Sequence, residues 1–477
     1  MERPRNMMRS SLVVLAFISR VGWAQQALPP VRPIGPVLNS STEPLASVAQ
    51  VIPLPGGRVI VHDLTGRRVV MFDSTFKNVT VIADSSSATG MAYGSRLGGL
   101  IAYRGDSTLF VDPQSISMLV IDPNGKIVRT MAAPLPNEVN QLIGGQNGTP
   151  GFDAQGRLVY RAQFRFTPAM ARQATSGSFQ MPQIPESSFV VRVDLKSRKV
   201  DTAATFRIPK INMSVNRDEN TGRVTMINTL NPMPWTDDWA LLADGTLAVV
   251  RGQDYRVDLV SADGKMTSAP KLPFDWQRLT DDDKVRIIDS TRTVQEALRA
   301  AQLAAVEAAG AQKTDTSKSG ARQRPSGDGG TIMIGGPGGP GGFGGFGGFG
   351  GFGGPDGPGG RGGGPPGGGG GPGGPGVGPI GFTLPPAQYV TPSEMPDYVP
   401  PFKQGAARGD ADGNLWIRTS KMINGGTVYD VISNKGELKD RVLIPPGRVI
   451  AGFGPGGTVY MGVLDGMGTR LERARRQ

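Results

Sequence analysis

The 477-residue chain contains no cysteine and a single histidine. The first absence excludes disulfides, thiolate metal sites and cysteine nucleophiles. The second excludes a His-rich metal centre, and a Ser-His-Asp triad or a helical zinc motif would have to be built on His62 alone. No Gly-x-x-x-x-Gly-Lys-Ser/Thr phosphate loop occurs. The apolar run at 12–18 falls far short of the roughly 20 residues that cross a bilayer. Aromatic residues are scarce at 6%, and charged residues make up 19%.

Glycine, in contrast, is abundant. Of 70 glycines, 29 fall within residues 335–378 together with eight prolines and the Gly-Gly-Phe repeats of 341–352. That stretch cannot bury enough surface to order itself, and with the polar residues before it predicts a disordered segment over 312–380. The remainder, in a chain 38% hydrophobic, has the composition of a folded domain with a sizeable core. Arg3, Arg5 and Arg9 precede the 12–18 run, and Gly22-Trp23-Ala24 supplies small residues at a cleavage site. A signal peptide over 1–24 is expected, giving an exported chain, periplasmic or extracellular, with no transmembrane segment after leader removal. The net charge of +11 reads as solvated basic surface and not as a specific nucleic-acid site.

A short phrase recurs six times: a glycine turn followed by strand residues. It stands at 54–61, 95–102, 153–160, 242–249, 410–417 and 454–461, anchored at Gly57, Gly98, Gly156, Gly245, Gly413 and Gly457. Each copy is followed by more strand-forming residues, and short polar turns such as Pro123-Asn124-Gly125, Ala262-Asp263-Gly264 and Asn434-Lys435-Gly436 join several of the second hairpins. Four meandering strands, six times over, predict an all-β fold: a six-bladed β-propeller of four-stranded antiparallel blades. Blades 1–4 are assigned to 31–272 and blades 5–6 to 405–477. Blade 6 runs out of chain one strand short, so a strand near Ile34 to Leu38 is expected to close it.

The segment Asp410-Ala-Asp-Gly-Asn-Leu-Trp-Ile417 resembles the Asp-x-x-Gly-Asn-Leu-Trp-Val strand turn of the NHL-repeat and gluconolactonase/regucalcin-like propellers. The resemblance implies the fold but not an activity, because the group includes binding scaffolds as well as metal-dependent lactonases. Those lactonases use a glutamate, asparagines and an aspartate converging on the central channel. No residue here matches those positions one by one, so no catalytic or metal-binding residue is carried over.

With strands labelled A to D from the channel outward, the anchor glycines belong to A–B turns. The extra residues then lie in B–C connections (105–116 and 163–186) and D–A connections (208–237 and 273–404), which alternation puts on one face of the disc. The insertion at 273–404 begins with a helix over about 281–309. Thr280 caps it, Asp281, Asp282 and Asp283 fill its first turn, and Val294, Leu298, Ala301 and Ala305 form an apolar packing stripe.

Candidate chemistry gathers on that decorated face. Trp235, Asp237, Asp238 and Trp239 enter blade 4 there, and paired carboxylates beside indoles suit a cation, acid–base work or a sugar ring. Asp410-Ala-Asp-Gly413 begins like a calcium loop but lacks its later ligands and reads as a β-turn. Counting along each strand B places His62, Arg104, Arg161, Arg251 and Arg418 at one face, with Asp237, Asp238 and Asp254 able to pair with the arginines. Guanidinium groups recognise carboxylate, sulfate or phosphate, so a small ligand or polymer partner is expected to be anionic. The sequence thus points to an exported, non-enzymatic binding or scaffold propeller whose partner is a protein, a glycan or a small anion, with no cofactor. The alternative is a divalent-metal-dependent, lactonase-like hydrolase with calcium at the channel mouth.

Overall fold

The computed structural model describes residues 28–163, 185–210, 212–217, 224–315, 388–466 and 468–477. The expected signal peptide lies outside these residues, as does nearly all of the expected disordered segment. Six antiparallel blades surround a central channel. Blade 1 comprises Gln50–Pro53, Val59–Asp63, Arg68–Phe72 and Val79–Ala83. Blade 2 comprises Gly99–Ala102, Thr108–Asp112, Ser117–Ile121 and Ile127–Ala132. Blade 3 is built from Gly151–Phe152, Leu158–Arg161, Ser187–Val193 and Val200–Arg207, and blade 4 from Asp238–Leu241, Leu247–Arg251, Arg256–Val260 and Met266–Lys271. Blade 5 holds Phe402–Gly409, Leu415–Ile423, Gly426–Ile432 and Leu438–Ile444. Blade 6 holds Arg448–Gly454, Thr458–Asp465 and Gly468–Arg475 and takes its outermost strand from Val37–Ser40. Just before that strand, Val31–Pro33 adds a parallel fifth strand to blade 5. Ile34 and Gly35 donate across the seam to Leu443 O and Arg475 O, so the segment 31–40 joins two blades.

The turns follow from side-chain chemistry. At Asp410 one carboxylate oxygen accepts the backbone N–H groups of Asp412 (3.0 Å) and Asn414 (2.7 Å), while the other accepts Asn414 Nδ2 and Trp416 Nε1 (2.9 Å). Asp153 accepts from Gln155 and Arg157 in the same way, and Asp122 from Asn124 and Lys126. This local bond offers the backbone a turn in place of a continued strand. It also explains the calcium-loop likeness at 410–413: that carboxylate is already satisfied by its own turn and by an indole.

Blade 2 departs from the expected frame. Gly98 precedes its strand A, and the true A–B turn is 103–107, with Gly105 and Asp106 at positive φ. Gly98 and Gly99 answer to crowding: a Cβ at Gly98 would overlap the Phe110 ring, and one at Gly99 the backbone of Ile143. The supposed B–C insertion at 105–116 accordingly contains strand Thr108–Asp112. The unforeseen additions are D–A connections, 84–98 and 133–150, which carry short 3₁₀ turns.

The helix runs Asp281–Asp315, beyond its expected end and into the segment expected to be disordered. Thr280 and Asp283 cap it reciprocally: Thr280 N–H donates to Asp283 Oδ2 (2.9 Å), and Asp283 N–H donates to Thr280 Oγ1 (3.2 Å). Thr280→Ala should cost about 1 kcal/mol locally, measurable as faster amide exchange in the first helical turn. The stripe does not pack as expected. Val294 and Leu298 remain 57% and 50% exposed, Ala301 is exposed, and the side chain of Ala305 is outside the described residues. The helix is anchored about two turns earlier, where Ile287 and Ile288 meet Met233, Val390 and Met395, and where the buried Lys284 Nζ contacts Asp397 (2.8 Å). A short strand, Gln388–Tyr389, joins Asn212–Arg217 and Val224–Leu230 in a separate three-stranded sheet. Among the described residues, no helix is long and apolar enough to cross a membrane.

Candidate functional site: the central channel

The inner strands of the six blades enclose a cavity of about 870 Å³, which runs from the decorated face at Gln50, Leu97 and Ile143 to the opposite face at Tyr103, Arg104 and Phe453. The sequence-selected residues fall into three groups around it.

The first group is tied up in ion pairs. Arg251 contacts Asp258 Oδ2 through Nε (2.6 Å) and Asp237 Oδ2 through Nη1 (2.9 Å), and also donates to Thr205 O. Asp237 further accepts from the N–H groups of Arg207 and Gly252. Asp254 lies farther out, with Lys271 at 2.8 Å and Arg256 at 3.4 Å. Trp239 is buried and donates from Nε1 to Asn147 O (3.1 Å), while Trp235 is half-buried against Trp276. These are the bonds of packed loops joining blades 3 and 4.

Second, Arg104 lies on the face opposite the insertions. It sits in the A–B turn of blade 2, donates to Gly156 O (3.3 Å) and lies over the Tyr103 ring. The misplaced anchor at Gly98 shifted it in the sequence count, so the expected ring of five is not a ring.

The third group comes from blades 1, 3, 4 and 5. Asp238 opens strand A of blade 4, is 1% exposed, and accepts the Ala407 N–H across the blade junction (2.8 Å). Burial pushes its carboxyl up to about 6 against the pull of that hydrogen bond and of Arg161. Arg161 donates to Ser188 Oγ and Asn147 Oδ1 (both 3.2 Å), stacks over Phe206, and has its pKa lowered by burial, with Asp238 opposing. Arg418 and Lys403 are both exposed, and the Arg418 charge helps to lower the Lys403 pKa. His62 lines the cavity from blade 1, only 1% exposed, with Nε2 2.8 Å from Tyr93 Oη. Desolvation lowers its pKa to about 4, so it is neutral at pH 7.

Sequence reasoning missed the central residue, Arg408. It stands in strand A of blade 5 and lines the cavity. Its Nη1 donates across to Ile450 O in blade 6 (2.7 Å). Among the described residues no carboxylate forms an ion pair with it; burial lowers its pKa, Arg418 lowers it further, and Tyr429 and Asp238 partly offset this. Position alone would have flagged it, two residues before the Asp410 turn on the strand that faces the channel.

No protein-family model matches the chain, and no curated protein does. Solved structures are similar to it. A gluconolactonase from Xanthomonas campestris is 10% identical, with 93% of this chain and 99% of that chain covered at a TM-score of 0.34. The PQQ-bound aldose sugar dehydrogenase of Streptomyces coelicolor is 12% identical over 94% and 100% of the two chains, at 0.35. A luciferin-regenerating enzyme is 11% identical over 92% of each, also at 0.35. Its structural neighbours are gluconolactonase-like and related propellers. No residue role passes from them to this chain.

Among the described residues, no three His, Asp or Glu side chains come together as a possible metal site. Asp238, buried at the start of strand A of blade 4, is held by a backbone N–H and feels Arg161.

Proposed function

We propose that the protein is an exported binding propeller whose central channel takes an anionic ligand, with Arg408 as its primary contact and Arg161 and Arg418 setting the potential at the decorated mouth. The observation that carries this reading is Arg408 itself, a half-buried guanidinium on the cavity wall whose one hydrogen bond among the described residues goes to a neutral carbonyl. Taking a charge out of water is costly unless it is paired, and a ligand carboxylate or phosphate would supply the missing bidentate partner. Other arginines of these blades already have acids: Arg157 and Arg192 share Asp153, Arg251 has Asp237 and Asp258, and Arg441 has Asp430. Export rests on the leader-like residues 1–24.

The test is calorimetric titration of organic acids and their neutral isosteres into the full chain. Acids should bind more tightly than isosteres, and Arg408→Gln should weaken the acids by about ten- to a hundredfold, the worth of a charge-assisted hydrogen bond. Equal affinity for acid and isostere, or acid binding unchanged in Arg408→Gln, would overturn the reading.

A further inference from the structure

Resting on that reading, we infer that the channel's ligand is an amphiphile, a single acidic head group on an extended apolar body. The head would meet Arg408, and the body would lie along the inner strands toward Tyr103 and Phe152. The cavity's own chemistry argues this. Its wall is largely apolar, with Ile52, Leu100 and Leu241 facing it from three blades and Ile143 from the connection between blades 2 and 3. The other charged or titratable groups on that wall are accounted for. Asp153 is held by Arg157 (2.7 Å) and Asp410 by its own turn and Trp416, His62 is neutral beside Tyr93, and Arg104 stands at the far mouth. Among the described residues Arg408 is therefore the charge on that wall still to be matched. At the far end Tyr103 and Phe152 pack with ring centroids 5.1 Å apart and extend the apolar wall. A compact polyanion would satisfy Arg408 but leave the apolar wall wet. A neutral chain would cover the wall and leave the guanidinium unmatched. An acid-headed chain does both.

The probes are octanoate, decanoate and dodecanoate, with dodecan-1-ol and citrate as controls, each below the concentration at which it self-associates. They are titrated into the full-length protein and into its Arg408→Gln and Tyr103→Ala variants, with folding verified by circular dichroism. Affinity should rise about fourfold per added methylene while the chain stays within the channel. Arg408→Gln should weaken dodecanoate at least tenfold while sparing dodecanol, and Tyr103→Ala should flatten the chain-length series. Citrate or octanoate binding as tightly as dodecanoate would overturn the amphiphile and leave the anion reading standing. Dodecanol binding as tightly as dodecanoate, with Arg408→Gln indifferent, would overturn the role of charge in both. If no acid bound at all, both would fall.

Discussion

Asp430→Ala lowers the unfolding free energy by about 3–5 kcal/mol, the cost of stranding a buried cation. Asp430 is fully buried in blade 5; it accepts Tyr255 Oη from blade 4 (2.6 Å) and faces Arg441 Nε at 3.2 Å, itself 4% exposed. The chain thus ties two blades together through one carboxylate. Removing it leaves a guanidinium and a phenol without an acceptor at the bottom of the seam. The urea midpoint of Asp430→Ala should fall accordingly, and adding Arg441→Met should recover much of the loss because no buried charge remains. A single variant within 1 kcal/mol of the wild type, or a double variant worse than the single, would show that the pair does not behave as a buried ion pair.

The second large effect concerns pH. Asp238 titrates at about 6 in the fold against 3.8 for a free carboxyl, so its native form holds a proton the unfolded chain has lost, and stability declines as pH rises between those values. His62 is displaced the other way, to about 4 from 6.5: its contribution is present above 6.5 and lost as pH falls toward 4. The windows nearly coincide and the signs oppose. Each is worth about 3 kcal/mol at 1.36 kcal/mol per pH unit. Asp238→Asn should therefore lose about 3 kcal/mol relative to the wild type on acidification from pH 7 to pH 4, and His62→Gln should gain about as much. Taking each variant's difference from the wild type at every pH removes the surface carboxylates common to all three proteins. Difference curves flat in pH would mean that neither group is desolvated as its burial implies.

How much of this was legible beforehand depended on the range of the interaction that decided each element. The blades announced themselves because their turns are made locally, by an aspartate accepting the N–H groups two and four residues on, as at Asp153 and Asp410. Blade 2 was misframed because the demand on Gly98 and Gly99 comes from Phe110 and Ile143, neighbours in space that no local pattern reveals. The same limit governs the channel. Arg161 and Arg251 occupy like places in successive blades and look alike in sequence, yet Arg251 is held by Asp237 and Asp258 while Arg161 rests on neutral partners. Arg408 went unread because its importance lies in what does not pair with it, a property of three blades at once.

The strand Val37–Ser40 and its partner Gly468–Arg475 stand at opposite ends of the chain, and Ser41 Oγ accepts the Leu471 N–H across 430 residues. Emerging first from the ribosome, the N-terminal segment has no partner until nearly everything else has been made. The ring cannot shut until residues 468–475 have been made, so its last blade is assembled late. Until then the outer edge of Gly468–Arg475 is an open template for strand addition, so the interval before closure is when a second copy of the N-terminal segment can compete for the same place.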